Sequence, residues 1–387
     1  MLRVLTLSTL YPDSGRPSFG LFVERQTLGL AARPGVEVEV VAPVGLPLWP
    51  LSLHPHYRAR TRLPARESRN GLPVHRLRFR VWPGLGGAGA ARSLAGAALE
   101  LARGLRCDVI DSEFFWPDGV AAMHVAAALG LPFSIKARGS DVHYWGRRPG
   151  IAAQIVEAAG RAGGLLAVSA ALKRDMAAMG MPEERIRVHH TGIDLGRFRP
   201  LDRIKAKRRL GVDGPLIVSP GNLVPLKGHR LAVEALARLP DATLLIAGEG
   251  PERRALEALI AARGLGGRAR LLGSVPPASM PELLAAADLM LLPSEREGLA
   301  NVWIEALACG TPILIADVGG AREVLDRPEA GRLVERVPAS IAAAALEMLA
   351  APPDPASVRK SAERFSWERN AEELHEHLGR VAQTRSP

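Results

Sequence analysis

Short runs of β-branched and leucine residues alternate with longer alanine- and leucine-rich stretches along the whole chain. Val4–Leu7, Val36–Val41, Val74–Phe79, Val109–Ile110, Phe133–Ile135 and Leu165–Val168 read as short buried strands, with helices such as Val120–Leu129 between them. A second series follows Pro200, with strands expected at Leu216–Ser219, Thr243–Ala247, Arg270–Leu272, Leu289–Leu292, Pro312–Ala316 and Arg332–Val334. Strict alternation of strand and helix argues for parallel sheets covered by helices on both faces. The fold class expected is α/β, with two Rossmann-like domains.

The two series part at His190–Pro200, which has two glycines and a proline and no helical periodicity, so it reads as a linker. The domains expected are 1–192 and 193–365. Ser366 is a plausible N-cap for a last helix opening at Trp367, and residues 366–387 are expected to return to the first domain. The tail from Thr384 to Pro387 is expected to be disordered.

The length of 387 residues suits two domains, and 47% apolar with 23% charged residues is ordinary for globular chains. Cys107 and Cys309 lie far apart, so a disulfide is not expected and a reducing cytoplasm is the default. No apolar run reaches the roughly 18 to 20 residues that span a bilayer. Met1–Leu7 is followed at once by Ser8, Thr9, Pro12 and Asp13, and reads as a first strand rather than a signal peptide.

Charge changes the picture. Between His54 and Arg106 stand eleven arginines against only Glu67 and Glu100, so this stretch holds nearly all of the net charge of +10. Aromatics are sparse there and no nucleic-acid motif appears, so nucleic acid is not expected as a partner. An anionic membrane surface or an acidic glycan fits better; the plain alternative is an arginine-rich solvated loop.

The chemistry clusters in loops that follow strands, where open α/β sheets bind ligands. Glu297 and Glu305 stand eight residues apart across an expected helix start, with Leu299, Ala300 and Asn301 as its first turn. Amides there, through Val302, lack intrahelical partners and attract phosphate. Carboxylates suit sugar hydroxyls. Gly221, Asn222 and Lys227 follow another strand; Lys227 supplies a point charge for a phosphate, although a lone lysine is more often a surface residue. Gly248-Glu249-Gly250-Pro251 reads as a tight turn with Pro251 at the first helical position. The backbone at Gly273 and Val275 suits a nucleobase edge or a plain turn.

In the first half, Ser14–Gly20 reads as a loop able to close over a sugar or phosphate, with Gly20 allowing close approach. Arg138 and Asp141 are expected to face a cleft, or to pair structurally, and Asp111-Ser112-Glu113 to line the same cleft. No zinc-like Cys/His spacing, no Asp-x-Asp pair and no Gly-x-Ser-x-Gly elbow occurs in the chain.

These residues resemble the family-four retaining glycosyltransferases of the GT-B fold, over nearly the whole chain. Glu297 and Glu305 fit the E-x7-E motif, Val168-Ser169 with Leu172 a first-domain segment, and Gly192-Ile193-Asp194 with Phe198 and Pro200 the interdomain motif. Gly248-Glu249-Gly250-Pro251, Pro293-Ser294 and Phe365-Ser366-Trp367 fit as well. The GNLVPLKG and ARGSDV segments look like a teichuronic-acid and exopolysaccharide branch.

The resemblance implies two Rossmann-like domains facing a central cleft, with the C-terminal helix crossing back to the first domain. It also implies a nucleotide-diphospho-sugar donor held by the C-terminal domain without a metal or other cofactor. Glu305 would accept from the ribose, Glu297 would contact the donor sugar, and Lys227 with the Ala300–Val302 amides would bind the pyrophosphate. The acceptor, a lipid-linked or membrane-associated glycan, would sit on the N-terminal domain, and the enzyme would work in the cytoplasm, at the inner membrane face. Asn222 stands where the family often has Arg, and Arg138 where it often has His. Arg138 stays protonated, so it is no general base but would stabilise the leaving phosphate. A sugar-nucleotide epimerase of the same architecture and a non-enzymatic basic glycan-binding protein are the alternatives.

Overall fold

The computed structural model describes residues 1–17, 19–82 and 89–384. Ser18 of the expected Ser14–Gly20 loop, residues 83–88 of the basic stretch, and 385–387 of the expected disordered tail lie outside the described residues. The chain forms two compact units, one of Met1–Gly192 with Trp367–Pro387 and one of Ile193–Ser366.

The strands are β1 (Leu2–Leu7), β2 (Val36–Val41), β3 (Val44–Leu46), β4 (Arg66–Arg69), β5 (Leu72–His75), β6 (Arg78–Arg80), β7 (Val109–Ser112), β8 (Phe133–Ala137), β9 (Gly164–Ala167) and β10 (Ile186–Val188) in the first unit. The second unit holds β11 (Leu216–Pro220), β12 (Thr243–Ala247), β13 (Ala269–Gly273), β14 (Leu289–Leu292), β15 (Ile313–Ile315) and β16 (Gly331–Leu333).

The first unit's main sheet runs β10-β9-β8-β7-β1-β2-β5-β4, and β3 pairs with β6 in a small second sheet. All neighbours in the main sheet are parallel except β4, which runs antiparallel to β5. The chain builds outward from β1 to one side and then returns to its other side with β7, so the order reverses between them. Central strands such as β7 and β8 are buried along their whole length, as sheets covered on both faces require. The last helix, Trp367–Ala382, belongs to this unit; its Leu374, Leu378 and Val381 join the core of Val4, Val23, Val40 and Val109.

The second unit is one fully parallel sheet, β13-β12-β11-β14-β15-β16, reversing between β11 and β14. Its core gathers Ile217, Val233, Leu244, Leu256, Leu289 and Leu314. No helix among the described residues is long and apolar enough to cross a membrane.

Four local expectations are corrected. Val74–Phe79 is not one strand: Arg76 turns inward, its Nη2 bonding to the Pro12 carbonyl and to Glu67, and the chain enters a second sheet at Arg78. Pro251 precedes its helix, which starts at Arg253. The helix after Glu297 is Asn301–Ala308, so Leu299 and Ala300 stand before its first turn, with Ala300 as N-cap. Thr384, expected in the disordered tail, donates from its hydroxyl to the Val381 carbonyl at 2.7 Å.

Candidate active site

In the second unit, β11 and β14 flank the reversal of strand order, and the loops that leave their carboxyl ends meet there. Gly228, at φ 72°, lets the β11 loop lie against the β14 loop: a Cβ at this position would stand 2.4 Å from the Pro293 carbonyl oxygen. Glu295 N–H donates to the Leu226 carbonyl at 2.8 Å across the same seam. Lys227 Nζ and Glu297 Oε1 then pair at 2.5 Å, with side chains only 20% and 11% exposed. Gly221 (φ 148°) sits against the Lys227 stem, where a Cβ would lie 3.6 Å from the lysine carbons, and Asn222 beside it is exposed.

A third glycine braces Glu297 from the other side. Gly319 (φ 53°) lies where a Cβ would come 2.1 Å from the Glu297 carbonyl oxygen, and Gly320 N–H donates to Gly298 at 2.7 Å. The chain then enters the Asn301–Ala308 helix. Trp303 N–H reaches the Ala300 carbonyl at 3.0 Å, whereas the amides of Asn301 and Val302, at the very start, have no backbone partner four residues back. This end carries partial positive charge. Buried Leu299 anchors the approach.

Glu305 lies one turn into the same helix. Burial pushes its carboxyl up to about 7, opposed by the Arg197 charge. Arg197 was not among the expected site residues; its only sequence signal is its place in the interdomain motif. His229, fully buried, is held neutral, with burial taking it down to about 4, and its Nδ1 lies 3.0 Å from Ser219 Oγ.

The nucleobase expectation is narrowed. The Gly273 carbonyl already accepts from Gly248 N–H at 2.8 Å, and the half-buried Val275 backbone carries no hydrogen bond among the described residues.

The first-unit expectations change more. Asp141 does not face a cleft: it is fully buried, and its carboxylate accepts from the amides of Arg138 (3.0 Å), Gly139 (2.8 Å) and Phe115 (3.3 Å). Arg138 pairs with Glu113 rather than Asp141, lies 4.9 Å over the Phe22 ring and is 6% exposed. Asp111, Ser112 and Glu113 are buried, not cleft-lining. Behind them Lys136 Nζ donates to Gln26 Oε1 at 2.7 Å and to His189 Nδ1 at 2.8 Å, and His189 Nε2 donates to the Asn370 carbonyl at 2.9 Å. Burial lowers the lysine well below its ordinary range, with the Arg138 charge second. Lys136 opens the chemistry-dense segment that the sequence marks after Phe133–Ile135, but its partner Gln26 carries no spacing signal and was missed. Gly20 (φ 70°) is fixed by the fold, since a Cβ would meet the Leu10 carbonyl at 2.0 Å.

Residues 202–365 match the family model of glycosyl transferases group 1, and residues 22–197 that of glycosyltransferase family 4. A protein named for teichuronic acid biosynthesis, the glycosyltransferase TuaC of Bacillus subtilis (strain 168), is 32% identical over 337 residues, 84% of each chain. A D-inositol 3-phosphate glycosyltransferase of Geodermatophilus obscurus is 39% identical over 212 residues, but that match spans 50% of this chain and 47% of the relative. Among solved structures, Anabaena HepE in complex with UDP superposes with TM-score 0.75 at 22% identity, covering 98% of this chain and 100% of that one. The sucrose-phosphate synthase of Thermosynechococcus elongatus gives 0.80 at 21% identity, covering 97% and 98%. The fold is thus that of the GT-B glycosyltransferases. The chain belongs to glycosyltransferase family four, and its activity is glycosyl transfer.

Proposed function

We propose that this enzyme is a retaining, metal-independent transferase that moves a sugar from a nucleotide-diphospho-sugar to a hydroxyl of a lipid-linked or membrane-associated glycan, in cell-envelope or exopolysaccharide synthesis. The observation that carries the reading is the Lys227–Glu297 pair, set at the strand reversal beside the unpartnered Asn301 and Val302 amides. The ammonium and the helix start supply positive charge where a departing diphosphate develops negative charge. Glu297 meets the donor sugar and Glu305 the ribose. The acceptor oxygen bonds to the anomeric carbon as the sugar–phosphate bond breaks, and its proton passes to the leaving phosphate oxygen on the same face. UDP and UDP-glucose complexes of the similarly folded HepE support a nucleotide-sugar donor. The likeness to TuaC supports an envelope polymer.

Arg138 is proposed as a positioning group, because Glu113 already neutralises it inside the fold. The place of work proposed is the inner face of the cell membrane.

Glu297→Ala and Lys227→Ala are each expected to lower transfer from a panel of nucleotide-sugars by at least about a hundredfold, the scale of losing a preorganised charge contact. Circular dichroism and melting temperature should stay near wild type. Wild-type turnover in a folded variant defeats the assignment.

A further inference from the structure

The first unit holds a cavity of about 590 Å³ among the loops at the carboxyl ends of its strands, within the range of small-molecule sites. Thr9 follows β1, Pro43–Gly45 follow β2 and Phe114 follows β7, so the cavity opens over the reversal of strand order in that sheet, where open α/β sheets take ligands. Asp118 ties the two sides together, accepting from Thr9 N–H at 2.8 Å and Thr9 Oγ1 at 3.0 Å.

The walls are aromatic, aliphatic and cationic, and among the described residues no carboxylate lines them. The Trp116 and Trp145 rings stand 6.4 Å apart. Arg148 lies 4.5 Å over the Trp145 ring and donates to the Tyr144 hydroxyl at 2.6 Å. Arg16 and Arg60 enter from the other loops. Arg16 is paired with Asp13, while among the described residues no carboxylate is paired with Arg60 or Arg148. Burial and then the charge of Arg16 lower the Arg60 pKa, opposed in part by Asp13, the partner of Arg16, so two guanidiniums share one space with a single carboxylate between them to offset their charge. An anion between them relieves the remaining repulsion, and the guanidinium fork fits phosphate oxygens in pairs. Trp145, partly exposed, offers an apolar ring to the C–H face of a sugar, while Trp116, buried to 2% exposure, packs against it.

We propose that this cavity binds the acceptor as a phosphate-bearing sugar, with Arg60, Arg148 and Arg16 on the phosphate and Trp145 on the ring. Calling the ligand the acceptor rests on the transferase reading above; its chemistry rests on the cavity alone.

The test is calorimetric titration of the full chain, in phosphate-free buffer, with glucose 1-phosphate, glucose and inorganic phosphate, and with vesicles carrying a polyprenyl-phosphate glucose. Glucose 1-phosphate should bind at least about tenfold more tightly than glucose. Arg60→Gln and Arg148→Gln should each weaken it by about tenfold or more, the scale of one charge-assisted hydrogen bond. Trp145→Ala should weaken glucose 1-phosphate and leave inorganic phosphate unchanged. If the vesicle arm is the tighter and keeps the arginine dependence, the sugar phosphate is presented on a lipid; if the soluble arm is tighter, it is free. Equal binding of glucose and glucose 1-phosphate, or wild-type affinity in the Arg60→Gln/Arg148→Gln double variant, overturns the proposal. UDP-induced thermal stabilisation, read in parallel on wild type, reports the donor site separately: its absence counts against the donor reading and not against this cavity.

Discussion

Glu305 shows how burial sets the behaviour of a single side chain. Its carboxyl is pushed up from an ordinary 4.5 to about 7 by desolvation. The folded state therefore holds this proton more tightly than the unfolded chain. The resulting stabilisation is fully present below about pH 4.5 and is lost as pH rises through about 7. Glu305→Gln should be more stable than wild type at pH 8 by about 1–3 kcal/mol, a gain that shrinks to nothing near pH 4.5. Urea denaturation of both proteins across that range measures it; a difference independent of pH counts against a raised carboxyl. In the role proposed for Glu305, a ribose hydroxyl donating to this group would favour its ionised form. The glutamate was legible in the sequence from its spacing. Its protonation was not, because burial depends on packing that no local pattern states.

At the scale of elements, two loops and three glycines make the second-unit site. The loops were legible because each follows a hydrophobic run, and β12 and β14 appear where alternation places them. The pairing of Lys227 with Glu297, seventy residues apart, was not, since it depends on β11 and β14 being neighbours. The polar edge strand β4, Arg-Glu-Ser-Arg, lacks the apolar signature that marks buried strands. Gly228 and Gly319 combine positive φ with carbonyl oxygens close enough to exclude any side chain. Gly228→Ala and Gly319→Ala should each cost more than about 1 kcal/mol and reduce transfer more than a Gly35→Ala control, whose φ is also positive but whose surroundings are open. Chemical denaturation with transfer assays checks this; equal effects at all three positions would show that the close loop contacts do not matter.

Over the whole molecule, charge and exposure sort the basic stretch into different tasks. Arg69 and Arg76 are engaged by Glu24 and Glu67, and Arg60 lines the cavity. Arg58, Arg62 and Arg66 remain exposed, close in sequence to Trp49, Leu51 and Leu53, which are 77%, 56% and 61% exposed. Exposed tryptophan and leucine beside arginine suit an anionic bilayer interface. Arg58→Glu with Arg62→Glu should weaken binding to phosphatidylglycerol vesicles by at least about tenfold, at about 1 kcal/mol per basic residue, and Leu51→Ser with Leu53→Ser should weaken it at high salt as well. Sedimentation with vesicles reads both, and unchanged binding in both removes the membrane role. The net charge was visible in the sequence; which arginines stay exposed was not.

The last helix also governs the order in which the enzyme comes into being. Leu374, Leu378 and Val381 complete the core of the first unit, yet the ribosome makes them only after the whole of Ile193–Ser366. The later-made unit can close as soon as it emerges, while the earlier one waits with an unfinished apolar face until translation is nearly done. During synthesis, the amino-terminal half therefore leaves open to water the apolar face that this helix later covers.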